Sequence, residues 1–397
     1  MCRRGNRNTV AFSIIGAATG ALAGSFEILM IARIFQAIGT ALLLPLLFNS
    51  ALILFPPEKR GTAMGLVALV FTAAPAVGPT VSGMLISKLS WLWIFWVSLI
   101  FMLIALIFGA IFIQNITNTA KPRIDLFSLS LSVFGFGGLV FGFSNAGESE
   151  SGWISPKVLI PIAVGIIALA FFVFRQLTMK KPLMNLRAFQ NPMFIVGTLL
   201  ILACMMVNLS SMLILPMYLI RVLEMSALSA GLVLLPGGLI FAILSPFIGR
   251  MFDKHGPKWL VIPGLVMVTV SLWFLTDLST VSTIALIVIL HCFLMIGIVM
   301  VWNPAQTNGM SALPYDMFPD GTAIMNTLLQ VAGAAGTAIA VSLMKAGETR
   351  FLKDAPSSDA THALTVGIQE AFFFAMIVAA TGLLIGLFIK RVIIARL

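Results

Sequence analysis

Twelve runs of about 20 apolar residues, separated by polar connectors, limit what this chain can become more than any other feature. They fall at 9–25, 29–54, 62–87, 91–113, 125–146, 157–177, 193–219, 228–249, 258–276, 282–304, 322–344 and 367–389. A run of that length, wound as a helix, spans the hydrocarbon core of a bilayer. The rest of the chain agrees: 60% of the 397 residues are hydrophobic and 10% charged, with a mean hydropathy of +1.08. A soluble domain carries roughly 25% charged residues, so lipid is the solvent for much of this surface. The expected fold class is an all-α membrane protein, a helical bundle crossing the bilayer many times. Arg3, Arg4 and the apolar run ending at Ala21-Leu22-Ala23 imitate a secretory signal peptide, but the spans that follow favour a packed first helix.

The net charge of +10 reflects where the basic residues lie and does not indicate a nucleic-acid partner. With the N-terminus in the cytoplasm, the inside connectors hold 17 of the 24 Lys and Arg, the outside connectors hold 6, and Arg33 lies within a span. That asymmetry predicts cytoplasmic termini and a multi-pass protein of the cell membrane. Cys2, Cys204 and Cys292 are scattered and suggest neither a disulfide framework nor a metal site. Three distant histidines, His255, His291 and His362, give no catalytic or metal-ligating cluster, so an enzyme is not expected. No phosphate-binding Gly-x-x-x-x-Gly-Lys-Ser/Thr loop occurs, so ATP is not implied. No cofactor is expected. A channel would need charge rings or a filter, and none is legible.

Four stretches carry more specific information. In the third run Gly65, Ala74, Pro75, Gly78, Pro79, Ser82 and Gly83 form a small-residue helix face that lets a neighbour approach closely, with two prolines to bend it. In the second run, Arg33-Ile34-Phe35-Gln36-Ala37-Ile38-Gly39 sets a guanidinium more than a turn inside a span. It must face protein or water there, or snorkel to a headgroup. Between the eighth and ninth runs lies Gly249-Arg250-Met251-Phe252-Asp253-Lys254-His255-Gly256-Pro257-Lys258. This is a tight basic turn whose Asp253 can cap a helix in one conformation and release it in another. Finally, Gly61-Thr62-Ala63 and Gly321-Thr322-Ala323 each follow a Pro-acid pair, Pro57-Glu58 and Pro319-Asp320. Each opens a Gly/Ala-rich helix, as repeated transporter halves do.

The first three stretches resemble motifs C, B and A of the major facilitator superfamily, with Ala74 and Ser82 standing where motif C has glycine. The overall pattern is similar to the fourteen-span drug:H+ antiporters, the lincomycin-resistance-type exporters of Gram-positive bacteria. The resemblance implies export of drug-like amphipathic compounds in exchange for protons, by alternating access and as a monomer. It assigns proton coupling to Arg33, with Gln36 and Gly39 beside it. It assigns antiporter packing to Gly65, Ala74, Pro75, Gly78, Pro79, Ser82 and Gly83, and a gate to Gly249, Asp253, Lys254, Gly256 and Lys258.

Arg4-Gly5-Asn6-Arg7 resembles the tail of a first-half motif A, which implies two spans upstream of residue 1. The expected division is then 1–113 as the last four spans of an N-terminal half, 114–187 as two central linker spans, and 188–397 as a six-span C-terminal half. The family's first span usually carries a membrane-embedded acid, whereas none of the 14 acids here sits near the middle of a run. The expectation is that this chain by itself is transport-deficient. Candidate cargo contacts are Asn49, Asn208, His291, Asn303, Asn326 and Gln330, set among flexible Met and Phe side chains that suit loosely specified ligands. An inactive remnant and a metabolite symporter of the same fold are the competing readings.

Overall fold

A computed structural model describes residues 3–112, 125–148, 152–179, 182, 184–354 and 359–392. Within these, the side chains of Asn49, Ala74, Pro75, Pro79 and Gly83 lie outside the described set. The described residues form twelve α-helices: α1 (Arg3–Ala21), α2 (Phe26–Leu54), α3 (Arg60–Lys88), α4 (Trp93–Phe112), α5 (Leu126–Glu148), α6 (Pro156–Thr178), α7 (Pro192–Arg221), α8 (Ala227–His255), α9 (Lys258–Leu275), α10 (Ile284–Ser311), α11 (Phe318–Asp354) and α12 (Ala360–Gly386). Each apolar run maps onto one of them. Nine are long and apolar enough to cross a membrane, while α1, α3 and α4 offer shorter apolar stretches among the described residues.

Local chemistry sets the helix ends. Asn191 accepts a hydrogen bond from the Met193 N–H (3.0 Å) ahead of Pro192, and Ser226 accepts from Ser229 N–H (3.1 Å) to open α8. Asp359 accepts from Thr361 N–H (3.2 Å) at the start of α12. Each satisfies one of the orphan donors of a first turn. At the far end of α8, Gly256 adopts φ +81°, a left-handed turn that an L side chain resists.

The chain divides into two compact units, and the boundary falls inside α3. One unit holds α1, α2, α4 and α3 from Ala74 onward; the other holds α3 up to Ala73 and α5 to α12. In the first unit α1 packs on α2 and α4. A Cβ at Gly16 would meet the Ala32 carbonyl, one at Gly39 would meet Ser13, and one at Gly20 would overlap the Phe95 ring. In the second unit α7 packs on α10, α11 and α12, α9 on α10 and α12, and α8 on α10.

The second unit also holds the hairpin of α5 and α6, which seats on α11. Ala146, Val158 and Ala338 form a small buried cluster there, and Ser342 Oγ donates to the Ala146 carbonyl (3.4 Å). At the opposite end of the hairpin, Arg175 Nε donates to Asp125 Oδ2 (2.9 Å), Gln176 Nε2 donates to Ser128 Oγ (2.8 Å), and Met184 N–H donates to Gln176 Oε1 (3.1 Å).

One boundary departs from the sequence expectation. The polar stretch after 344 reads as a connector, but α11 runs on to Asp354 and spans 37 residues. Its added turns are held by α12. A Cβ at Gly347 would meet the Glu370 carboxyl, and one at Gly367 would meet the Met344 carbonyl. Arg350 pairs with Glu370 at 3.1 Å. Packing carries the helix past the point where hydropathy falls.

Candidate functional site

The richest polar construction in the second unit lies where α8 meets the start of α3. The residues before α3, Pro57–Lys59, form a 3-10 turn, and the carboxylate at the helix end comes from far along the chain. Asp253 Oδ1 accepts from the Gly61 N–H (2.7 Å), and Oδ2 accepts from the Thr62 N–H (2.8 Å) and Thr62 Oγ (2.6 Å). Asp253 therefore caps α3 from another helix. The N-terminus of a helix carries partial positive charge and free N–H donors, so an anion is held there by dipole and hydrogen bonds together. Charge-assisted bonds of this kind are about twice as strong as neutral ones.

The approach that permits this cap depends on missing side chains. A Cβ at Gly249 would fall on the Gly61 carbonyl, and a Cβ at Gly61 would meet the Gly249 carbonyl and Asp253. Higher on the crossing, a Cβ at Gly65 would meet the carbonyl of Ser245 and the Cα of Pro246. Beyond Asp253, Arg391 reaches back to the end of α8, donating from Nη2 to the Asp253 carbonyl (2.8 Å) and from Nη1 to the Lys254 carbonyl (3.4 Å). A cation at a helix C-terminus is favourable for the same dipolar reason. Lys254 and Lys258 are exposed.

The described positions of the small-residue pattern of α3 differ in their surroundings. Gly65 makes the close approach just described, but Gly78 is exposed and a Cβ there would meet nothing within 4 Å. Ser82 is half-buried. Among the described residues, a close neighbour is present at Gly65 near the start of α3, and none lies against Gly78.

In the first unit, Arg33 keeps clear of the close contact between α1 and α2. It is exposed, donates from Nη1 to Gln36 Oε1 (3.2 Å), and lies over the Phe95 ring at 5.1 Å. The physical reason is helix phase. Ala32, Gln36 and Gly39 point at α1, where the backbone comes close at Gly16 and Ser13. Arg33 is turned about 100° from Ala32, as one residue of helix requires, and leaves that contact.

The candidate cargo residues whose side chains are described lie on α7, α10 and α11. His291 and Asn303 are buried on α10. The His291 ring fills the place where a Gly237 side chain on α8 would be, and Asn303 Nδ2 donates to the Ser245 carbonyl (3.3 Å). Asn208 lies on α7; Asn326 and Gln330 lie on α11, with Gln330 exposed. His291 Nδ1 and Asn326 Nδ2 are buried without hydrogen-bond partners among the described residues. A groove of about 300 Å³ does occur, but on the hairpin, lined by Phe141, Asn145, Pro156, Lys157, Ile160 and Pro161. None of the candidates borders it.

Arg60 is the residue that sequence reading missed, because it looks like one more basic connector residue. As the first residue of α3 it is 1% exposed, and its guanidinium lies 5.0 Å from the ring centroids of both Tyr315 and Phe318. Among the described residues, its Nε and Nη2 have no hydrogen-bond partner. A signal was present: Tyr315, one of two tyrosines in the chain, sits at the start of the second copy of the repeat.

The profile described as Major Facilitator Superfamily matches residues 1–337. The chain is 57% identical over 388 residues to the lincomycin resistance protein LmrB of Bacillus subtilis (strain 168), covering 97% of this chain and 81% of that protein. It is 53% identical over 385 residues to the protein of the same name from Listeria monocytogenes, covering 96% and 81%. Among solved structures, the human organic anion transporter MFSD10 superposes with a TM-score of 0.63 at 14% identity, over 97% of this chain and 76% of that one. That last likeness speaks to the fold alone.

Proposed function

This chain belongs to the Major Facilitator Superfamily and is a multi-pass membrane transporter, and we propose that it exports amphipathic, drug-like compounds in exchange for protons by alternating access. The observation that carries the reading is the cap of Asp253 on α3. Alternating access needs contacts that hold in one state and yield in another. A carboxylate on a helix end, with water able to replace each bond, meets that need. The helix it holds is the one bearing the small-residue pattern from Gly65 to Gly83. The names of the two relatives, both lincomycin resistance proteins, support an outward direction and place lincomycin among the cargoes to try first.

Gly249, Asp253, Gly256 and the cationic rim of Lys254 and Lys258 form the gate. Arg33, steadied by Gln36, serves proton coupling, and its exposure suits contact with water. The bias of Lys and Arg puts both termini and the gate in the cytoplasm. The proposed division is two transporter halves, 1–113 and 188–397, around a central hairpin within 114–187. A drug-sensitive bacterium producing the protein tests the reading. Contrary to the transport deficiency expected from the missing embedded acid, it should accumulate less ethidium and survive more lincomycin than the parent, and a protonophore should erase the difference. Equal accumulation with and without the protein would contradict it.

A further inference from the structure

We propose that Arg60 is a clamp residue of the transport cycle, held dry between Tyr315 and Phe318 in this conformation and hydrated in the opposite one; this rests on the alternating-access reading above. Arg60 and Phe318 are the first residues of α3 and α11, the two helices opened by the internal repeat. The two helix starts are built alike. Pro56 (φ −62°, ψ 156°) and Pro314 (φ −67°, ψ 156°) each lead a one-turn 3-10 segment into the helix. The repeat thus brings its two helix starts together, and the contact between them is a cation against aromatic faces.

The cage has a floor and a lid. Phe318 is 1% exposed and forms the floor, while Tyr315 is 57% exposed and covers the guanidinium from the solvent side. Rotation of one side chain opens the site to water. The energetics are close to balance. A desolvated guanidinium over two rings gains two cation–π contacts, but its buried Nε and Nη2 donors are unsatisfied, and each costs about what one such contact returns. Hydration on opening repays those donors, so the open form carries no large penalty and a modest bias selects between the two. Asp253 grips Gly61 and Thr62, the next two residues. One helix end is therefore held at adjacent points by an ionic cap from α8 and an aromatic cage from the turn before α11.

Lys59 and Asp316 are exposed and flank the cage. Spin labels on Lys59→Cys and Asp316→Cys, in a chain with Cys2, Cys204 and Cys292 replaced, would report the clamp by pulsed EPR in liposomes, with and without ethidium. The expected result is a short and a long distance whose ratio shifts on adding ethidium. Tyr315→Leu and Phe318→Leu should move that ratio toward the long distance by about tenfold, the order of one lost cation–π contact, with Arg60→Lys falling between them and the parent. One unchanged distance in every variant and condition, even with lowered thermal stability, would reduce Arg60 to packing and overturn the proposal. Should Arg60→Lys fail to fold, Tyr315→Leu alters only the half-exposed lid and keeps the test decisive. The distances need no net export. Two populations in a protein that extrudes no ethidium would retain the clamp and discard the cargo reading, whereas export without a second population would do the reverse.

Discussion

Asp253 concentrates more of the site's energy than any neighbour, because a single carboxylate satisfies two backbone donors and a hydroxyl. Asp253→Ala strips all three bonds at once. Loss of a cap and of charge-assisted bonds should cost roughly 2 kcal/mol, read as a lower midpoint of thermal unfolding in detergent, and should cut ethidium export at least tenfold. Thr62→Val removes one bond and leaves both backbone donors capped, so about 1 kcal/mol is expected. An Asp253→Ala protein as stable as the parent would show that the cap contributes little. The motif spacing around Asp253 made its importance legible, but its partners, Gly61 and Thr62, lie 192 and 191 residues away. No local pattern names them. Arg60 was illegible for the opposite reason: its neighbours in sequence are polar, and only the fold supplies its aromatic rings.

At the scale of elements, the α3–α8 crossing and the α5–α6 hairpin make separable claims. Gly249→Ala drives a methyl into the Gly61 carbonyl, and overpacking of this kind should cost about 1–3 kcal/mol. Gly78→Ala meets open space and should leave stability unchanged or raise it by up to about 1 kcal/mol. Parallel unfolding curves for the two variants check the contrast, and equal losses would mean that α3 packs along its whole small-residue face. In the hairpin, the hydrogen bond from Arg175, followed by that from Ser128, holds the Asp125 carboxyl at about 2. A carboxyl lowered from its ordinary 3.8 contributes stability above that value and loses it as pH falls toward 2. Asp125→Asn should therefore leave the pH profile of export between pH 5 and 8 unshifted, and a shifted profile would make Asp125 a proton carrier. Hydropathy alone found both hairpin helices, because each is a long apolar run. It misjudged the end of α11, where Gly347 and Gly367 let α12 approach and extend the helix through polar residues.

For the molecule as a whole, the bilayer makes fold class legible. A chain in lipid must spell each crossing as an unbroken apolar run, and all twelve runs map onto helices. What it does not spell is how those helices group. Residues 55–73 of α3 and its connector belong with α5 to α12, while the rest of α3 belongs with α1, α2 and α4, a division inside one continuous helix that no run boundary announces. Polar partners across helices were less legible: Asn303 satisfies a backbone carbonyl on α8, as most buried polar groups do. The central claim, coupled exchange of protons for drug, is a statement about flux. Purified protein in liposomes, with an imposed pH gradient and a pH-sensitive dye beside ethidium, measures both flows at once. Ethidium should move against its gradient as protons move down theirs, and both should stop when the pH gradient is collapsed. Ethidium movement that persists without a pH gradient, or proton flow indifferent to ethidium, would contradict it.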